Sequence, residues 1–421
     1  MNIWIIHHYA NSPDAPGDAR HFSHARELMN HGHRVCIVAC SFLHQTHKHM
    51  PRSDVAAWTV TVHNGVPFVW IRCRPYRGES WMRIANMFEF AFRCMLLKWS
   101  AGFGAPDVVM GSSPHPFAAL AAERLAARFR VPFVLEIRDP WPYVLTQVGG
   151  HSRFHPFVLL VDGTMRYLYR RAARIVMFSR HSAPLLTRLG ADPRKIVWIP
   201  HGVDLTMTPV PRPAPEDGVF TVMYVGSHNQ WNSLDAILDA AKLIAAQKRN
   251  DIQFVLIGGG SSKPGLMKRV EQEAITNVSF QNPMPKSVMH YVLHNADAFI
   301  LNNRIDQLSR HWMSFNKLYE YLAAGRPVIF ASYTENNPVQ ESGAGITVHA
   351  GDAEAMAGAT VTLADMVHRD REQFGAAGRR LIETQYNIAF LARKFEAILM
   401  EIVSGGRGVE SLQEAARSAS A

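Results

Sequence analysis

Apolar runs of three to six residues recur through the first half of the chain: Asn2–Ile6, Val35–Ala39, Val66–Ile71, Val108–Gly111, Phe133–Glu136, Ile175–Met177 and Val197–Ile199. They lack polar alternation, and helical spacing separates them. Runs of that kind suit parallel strands covered on both faces, so the pattern predicts a doubly wound α/β domain over residues 1–204. Pro209, Pro211, Pro213 and Pro215 follow and read as a linker, because proline continues neither a helix nor a central strand. The alternation restarts at Thr221–Val225, Phe254–Ile257, Val278–Phe280, Ala298–Leu301, Val328–Phe330 and Ile346–Val348, predicting a second α/β domain over 216–387. A helix over Ile388–Val403 has no strand after it and is expected to pack back on the first domain, and the Gly-rich segment 404–421 is expected to be a mobile tail. Two such domains leave a cleft at the carboxyl ends of their sheets, where ligands bind in open α/β folds.

Composition narrows the class. A chain of 421 residues with 48% apolar and 19% charged residues buries a substantial core and lies outside the disordered range. The first residues enter a strand without a leader pattern, and no run of 18 apolar residues occurs, so neither export nor a membrane span is expected. Cys36, Cys40, Cys73 and Cys94 form no CxxC pair and read as buried, reduced thiols of a cytoplasmic protein. The net charge of +9 is uneven: residues 1–200 hold 24 Lys/Arg against 12 Asp/Glu, and the remainder 20 against 23. A basic first half favours anionic partners, whether lipid, phosphorylated ligand or nucleic acid.

Candidate chemistry gathers where strands end. The loop from His7 to Arg20, with Gly17 and Asp18, precedes a helix and reads as a phosphate or sugar cradle or a plain surface loop. Ser112, Ser113 and His115 open an Ala-rich helix; Glu136, Arg138 and Asp139 sit one strand later and read either as functional groups or as a structural ion pair. In the second half, Gly226 and Ser227 end one strand and Gly258, Gly259, Gly260 with Lys263 end the next, where glycine admits backbone donors to a diphosphate. Neither loop is a GxGxxG followed by a ribose-binding acid, and there is no GxxxxGK[ST]. The most specific stretch runs from Ser314 to Ile329: a Ser-capped helix carrying Asn316, Lys317 and Glu320 that stops at Gly325.

Taken in order, "ARELMNHGHRV", "SSPHPFAAL", "VPFVLEIRDPWP", "YRRAARIVMFS", "VWIPHGVD", "LIGGG" with Lys263, and "SFNKLYEYLAAGRPVI" resemble the retaining GT-B glycosyltransferases of family 4, and more narrowly the WbuB-like fucosaminyltransferase branch that builds bacterial surface polysaccharides such as O-antigen or capsule. The resemblance implies two Rossmann-like domains facing across a cleft and a nucleoside diphosphate sugar in the second. Glu320 would hold the ribose, the Gly226 and Gly260 loops with Lys263 would surround the diphosphate, and Ser227, Ser314, Asn316 and Lys317 would also bind the donor. His115, Arg138 and Asp139 would be catalytic, and Gly17, Asp18 and Arg20 would line the acceptor side. No DxD sequence occurs, and the expectation is a transfer needing neither cofactor nor metal. The chain departs from the family at Trp312, where a glutamate is usual, and at Phe315, Asp18 and His201.

Between Trp81 and Trp99, helical spacing places Trp81, Ile84, Phe88, Phe92, Met95, Leu96 and Trp99 on one stripe, with Arg83, Arg93 and Lys98 beside it and Phe90 and Leu97 as further apolar groups toward the exposed side. Either a core helix or an interfacial membrane helix satisfies that pattern. The second reading implies a lipid-linked saccharide acceptor and a peripheral position on the inner face of the cytoplasmic membrane. Two rivals are a nucleotide-sugar 2-epimerase of the same fold and a nucleic-acid binder; the second lacks any recognition element.

Overall fold

In the computed structural model the described residues are 1–421 except 14–18, 45–46, 51–55, 79–80, 97, 207, 209–217, 285, 304–315 and 406–421. The proline-rich segment, Gly17, Asp18, Trp312, Ser314 and Phe315 lie outside them. The chain divides into two compact units, one holding Met1–Pro200 and the helix Ile388–Val403, the other His201–Asn387.

In the first unit, strands β1 (Asn2–Ile6), β2 (Arg34–Cys40), the short hairpin β3 (Phe42–Leu43) and β4 (Lys48–His49), β5 (Trp58–His63), β6 (Val66–Ile71), β7 (Val108–Ser112), β8 (Phe133–Glu136), β9 (Arg174–Met177) and β10 (Ile196–Trp198) alternate with helices α1 (Arg20–Asn30), α2 (Trp81–Leu96), α3 (Pro116–Phe129), α4 (Pro156–Arg171) and α5 (Ala183–Arg188). The sheet order is β10-β9-β8-β7-β1-β2-β6-β5, parallel except for β5. Both faces of the sheet are buried, as unbroken apolar runs require: Ile3, Ile5, Ile37 and Val108 on one, joined by Leu391, Phe395 and Leu399 of the terminal helix, and Trp4, Ile6, Val38 and Val109 on the other. Strand order reverses between β1 and β7, so the segments after these strands, which carry His8 and His115, meet at the switch point.

The second unit is fully parallel. Its strands β11 (Phe220–Val225), β12 (Ile252–Ile257), β13 (Val278–Gln281), β14 (Ala298–Asn302), β15 (Val328–Ala331) and β16 (Gly345–Val348) are ordered β13-β12-β11-β14-β15-β16. Helices α6 (Leu234–Ala246), α7 (Lys263–Gln272), α8 (Lys286–Val292) and α9 (Asn316–Ala323) follow in chain order. Here the order reverses between β11 and β14, and Gly226 stands at the end of β11.

Helix α2 corrects one expectation. Phe90 is not on the exposed side: it is 0% exposed and packs inward with Asn86, Met87, Ala91 and Cys94. The apolar stripe is instead the outward face, with Trp81 72%, Phe92 60% and Leu96 61% exposed, so it does not form the helix's core contact. The helix stops at Leu96, and a 3₁₀ turn follows over Lys98–Gly102. All four cysteines are buried and free.

Candidate functional sites

In the second unit, the loops after β11 and β12 are laced together. The amide of Gly226 donates to Ile257 O (2.9 Å), that of His228 to Gly259 O (2.8 Å), and that of Ser262 to His228 O (3.0 Å). Glycine is required at two of these positions by contact. A Cβ on Gly258, at φ +149°, would fall 1.9 Å from Gly226 O, and one on Gly260, at φ +153°, 2.3 Å from His228 O. At Gly259 it would meet Pro283 at 3.4 Å, an ordinary contact.

Helix α9 is fastened over this floor by Tyr321, whose hydroxyl accepts from Val225 N (2.7 Å) and donates to Val225 O (2.8 Å) while its ring stacks on Phe299. One turn earlier on the same face, Lys317 lies against Gly226, where a Cβ would come 2.0 Å from its Cε. Its ammonium donates to Asn232 Oδ1 (2.8 Å) and stands 5.6 Å from the centre of the Tyr224 ring. Burial lowers the Lys317 pKa to about 8, and the charge of Glu320 counteracts part of that. Lys263 is differently placed: its ammonium donates to Gly258 O (2.9 Å), Gln281 O (2.7 Å) and Asn282 Oδ1 (3.3 Å), bracing the glycine loop from beneath. Ser227 is exposed, and its carbonyl accepts from Tyr224 Oη and Asn232 Nδ2. Asn316 and Glu320 are half-buried on α9.

In the first unit, His115 caps the start of α3 and its Nε2 lies 2.7 Å from Nδ1 of His8. Both rings are buried; burial drives His115 down to about 3, helped by the charge of Arg83, and His8 to about 4, so both are neutral at physiological pH. Burial raises Asp139 to about 6 against the pull of Arg138 and Arg83. Arg83, on the inward side of α2 and 3.4 Å from Tyr9 Oη, thus acts electrostatically on both His115 and Asp139. Arg20 is buried: it pairs with Glu136 (3.3 Å), donates to the carbonyls of Ile199 and Pro200, and lies over the Phe178 ring. Arg138 also faces Phe178, at 5.3 Å. Sequence reasoning missed Arg83, which it took as a flank of the apolar stripe, and His228, which no motif marks.

The comparisons with known proteins meet this geometry. Residues 219–366 match the family described as glycosyl transferases group 1, and residues 22–202 match the glycosyl transferase 4-like domain, together more than three quarters of the chain. The chain is a GT-B glycosyltransferase of the family 4 type. Among solved structures the glycosyltransferase resembles sucrose-phosphate synthase from Thermosynechococcus elongatus (TM-score 0.73, 15% identity, 96% of this chain and 99% of that one). It also resembles Anabaena HepE in complex with UDP and glucose (0.68, 12%, 95% and 100%). A third is WaaG, a glycosyltransferase involved in lipopolysaccharide biosynthesis (0.66, 12%, 95% and 99%). No curated protein matches the glycosyltransferase. Both matched families are transferases, and the epimerase alternative finds no support.

Proposed function

We propose that this glycosyltransferase moves a sugar, with retention of configuration and without a divalent metal, from a nucleoside diphosphate to a lipid-linked saccharide in bacterial surface polysaccharide assembly. The observation that carries the donor half is the clasp of Gly226, Gly258 and Gly260 with Lys317 seated directly on Gly226 and Glu320 three residues further along α9. Backbone donors and one ammonium beside a glycine floor stabilise a diphosphate as it leaves, which is the main demand of such a transfer. Lys263 keeps the floor in shape, Asn316 and Ser227 border it, and Glu320 takes the ribose hydroxyls. HepE and the Escherichia coli trehalose-6-phosphate protein were solved with UDP and glucose and with UDP-2-fluoro glucose, in keeping with this reading.

In the first unit, His115 is suited to hydrogen-bonding a sugar as a neutral ring, and Asp139 between Arg83 and Arg138 to orienting an acceptor hydroxyl. Arg20 acts on that side through Glu136.

Screening UDP, GDP, ADP and TDP by thermal shift tests the donor half. One of them at a hundredfold excess over its Kd is expected to stabilise the protein by about 2.7 kcal/mol. Glu320→Ala is expected to weaken that nucleotide by roughly ten- to a hundredfold, the worth of a hydrogen bond to a charged group. Unchanged affinity would remove Glu320 from the ribose.

For the acceptor half, the support is the outward face of α2. Trp81, Ile84, Phe88, Phe92 and Leu96 are exposed on it, and the ring sequence Phe88–Phe117–Phe157 connects it to α4, where Leu159 and Leu160 are exposed as well. With the positive balance of residues 1–200, this face suits the anionic inner leaflet of the cytoplasmic membrane. Among the described residues no helix is long and apolar enough to cross a membrane. The protein is expected to float with anionic vesicles at low salt, and Phe92→Glu to abolish flotation; wild-type protein that stays at the bottom of the gradient at low salt would exclude this face as a lipid contact.

A further inference from the structure

One side chain in the clasp has no role in the reading above. His228 follows Ser227 in the loop after β11 and is 0% exposed, yet neither ring nitrogen has a hydrogen-bond partner. Buried polar groups in native proteins are nearly always bonded, and exceptions concentrate where chemistry is done. The ring is held in place rather than loose. Its backbone amide and carbonyl are both bonded across to the Gly259–Ser262 loop, its Cδ2 is 3.2 Å from the position a Cβ on Gly258 would take, and the Tyr224 and Phe280 rings flank it at 5.9 Å.

Lys263 from α7 and Lys317 from α9 both act on His228 with positive charge, and the Ile257 carbonyl on β12 acts in the opposite direction. Burial first and those lysines second lower its pKa to about 4, while burial keeps the Tyr224 hydroxyl protonated. The loop therefore holds a neutral imidazole in a positive field. Since all three donors of Lys263 are already engaged by Gly258, Gln281 and Asn282, His228 and Lys317 retain the hydrogen-bonding capacity that a diphosphate on this floor would use.

We propose that His228 is a catalytic residue of the donor site, hydrogen-bonding the departing diphosphate and holding, as an imidazolium, the proton that the acceptor hydroxyl gives up. The inference rests on the donor-site reading above. In the transfer, the bond from the anomeric carbon to the phosphate oxygen breaks and its electron pair stays on that oxygen. The acceptor oxygen bonds the same carbon, and its proton passes to the departing oxygen and from there to the His228 ring. The freed diphosphate carries one more negative charge than it did as a sugar ester. That added charge reverses the local field and makes the protonated ring favourable just when a proton has to be placed. No further reactant is needed.

Titration calorimetry of the whole protein at pH 7, with the nucleoside diphosphate that gives the largest thermal shift, in two buffers of different ionisation enthalpy, tests this. Wild type is expected to take up a proton on binding, and His228→Asn to bind roughly tenfold more weakly with the uptake gone. Binding by wild type without proton uptake, or unchanged uptake in His228→Asn, would overturn the assignment. Should the variant fail to fold, wild-type uptake measured across pH 5 to 8 decides alone: uptake following one imidazole-like group supports it, and none refutes it. Failure of every nucleotide to give either heat or a thermal shift would instead remove the donor site itself, and this inference with it.

Discussion

Lys317→Met is expected to slow sugar transfer roughly a hundred- to a thousandfold, the usual cost of removing one preorganised group that meets charge as it develops. Methionine keeps an unbranched apolar stem to lie on Gly226 and removes only the ammonium, so the thermal midpoint should stay close to that of wild type. The same residue gives wild type a pH signature. Because burial lowers Lys317 to about 8, it is charged below that pH and loses its charge above it, whereas an unperturbed lysine would stay charged to about 10.4. The alkaline limb of kcat/KM is therefore expected near pH 8 in wild type and absent in Lys317→Met. Gly226→Ala supplies an independent check, since its methyl group would stand 2.0 Å from Lys317 Cε and push the ammonium off the floor without deleting it. It should reproduce most of the loss. A deficit under tenfold in Lys317→Met, or an alkaline limb that survives in it, would show that the ammonium does not meet the leaving group.

The contrast between what could and could not be read from the chain follows from which interactions are local. Strands buried on both faces appear as unbroken apolar runs, so the central strands and their alternation with helices were legible throughout. The edge strand β5 was not, because Trp58–His63 alternates partly covered and exposed positions as an edge does. On α2 the helical spacing located a stripe but could not say which side faced inward; Asn86, Met87, Phe90, Ala91 and Cys94, outside that stripe, make the core contact. The glycine loops stood out by composition, and their neighbours did not. That Lys317 rather than a ligand alone demands glycine at position 226, that Tyr321 fastens α9 to Val225, and that Arg83 acts on His115 and Asp139 are consequences of packing between segments far apart in sequence.

Glu136→Gln is expected to destabilise the first unit by about 3–5 kcal/mol, the usual cost of removing one partner from a buried ion pair. Glu136 ends β8 with its side chain wholly buried, and burial by itself would raise its pKa. The opposite holds: His21, with Nε2 at 2.8 Å, Arg20 at 3.3 Å and the charge of Arg138 hold the carboxyl well below the usual carboxylate range, and the Ser112 hydroxyl donates to it at 2.6 Å. Through those partners it joins the start of α1, the end of β7 and, by way of Arg20, the Ile199 and Pro200 carbonyls. Glutamine fits the same space but leaves the Arg20 guanidinium buried without its counter-charge. A group whose pKa is depressed on folding contributes stability above its unfolded value, about 4.3 for glutamate, and loses that contribution as pH falls through the folded value. Denaturant titrations should therefore show wild type losing stability on acidification below about pH 4 with a slope that Glu136→Gln lacks. Arg20→Met combined with Glu136→Gln should be less damaging than the two single losses added, since it removes the stranded charge as well. Additive losses, or a single-variant cost under about 1 kcal/mol, would mean that the carboxylate contributes no more than an exposed pair does.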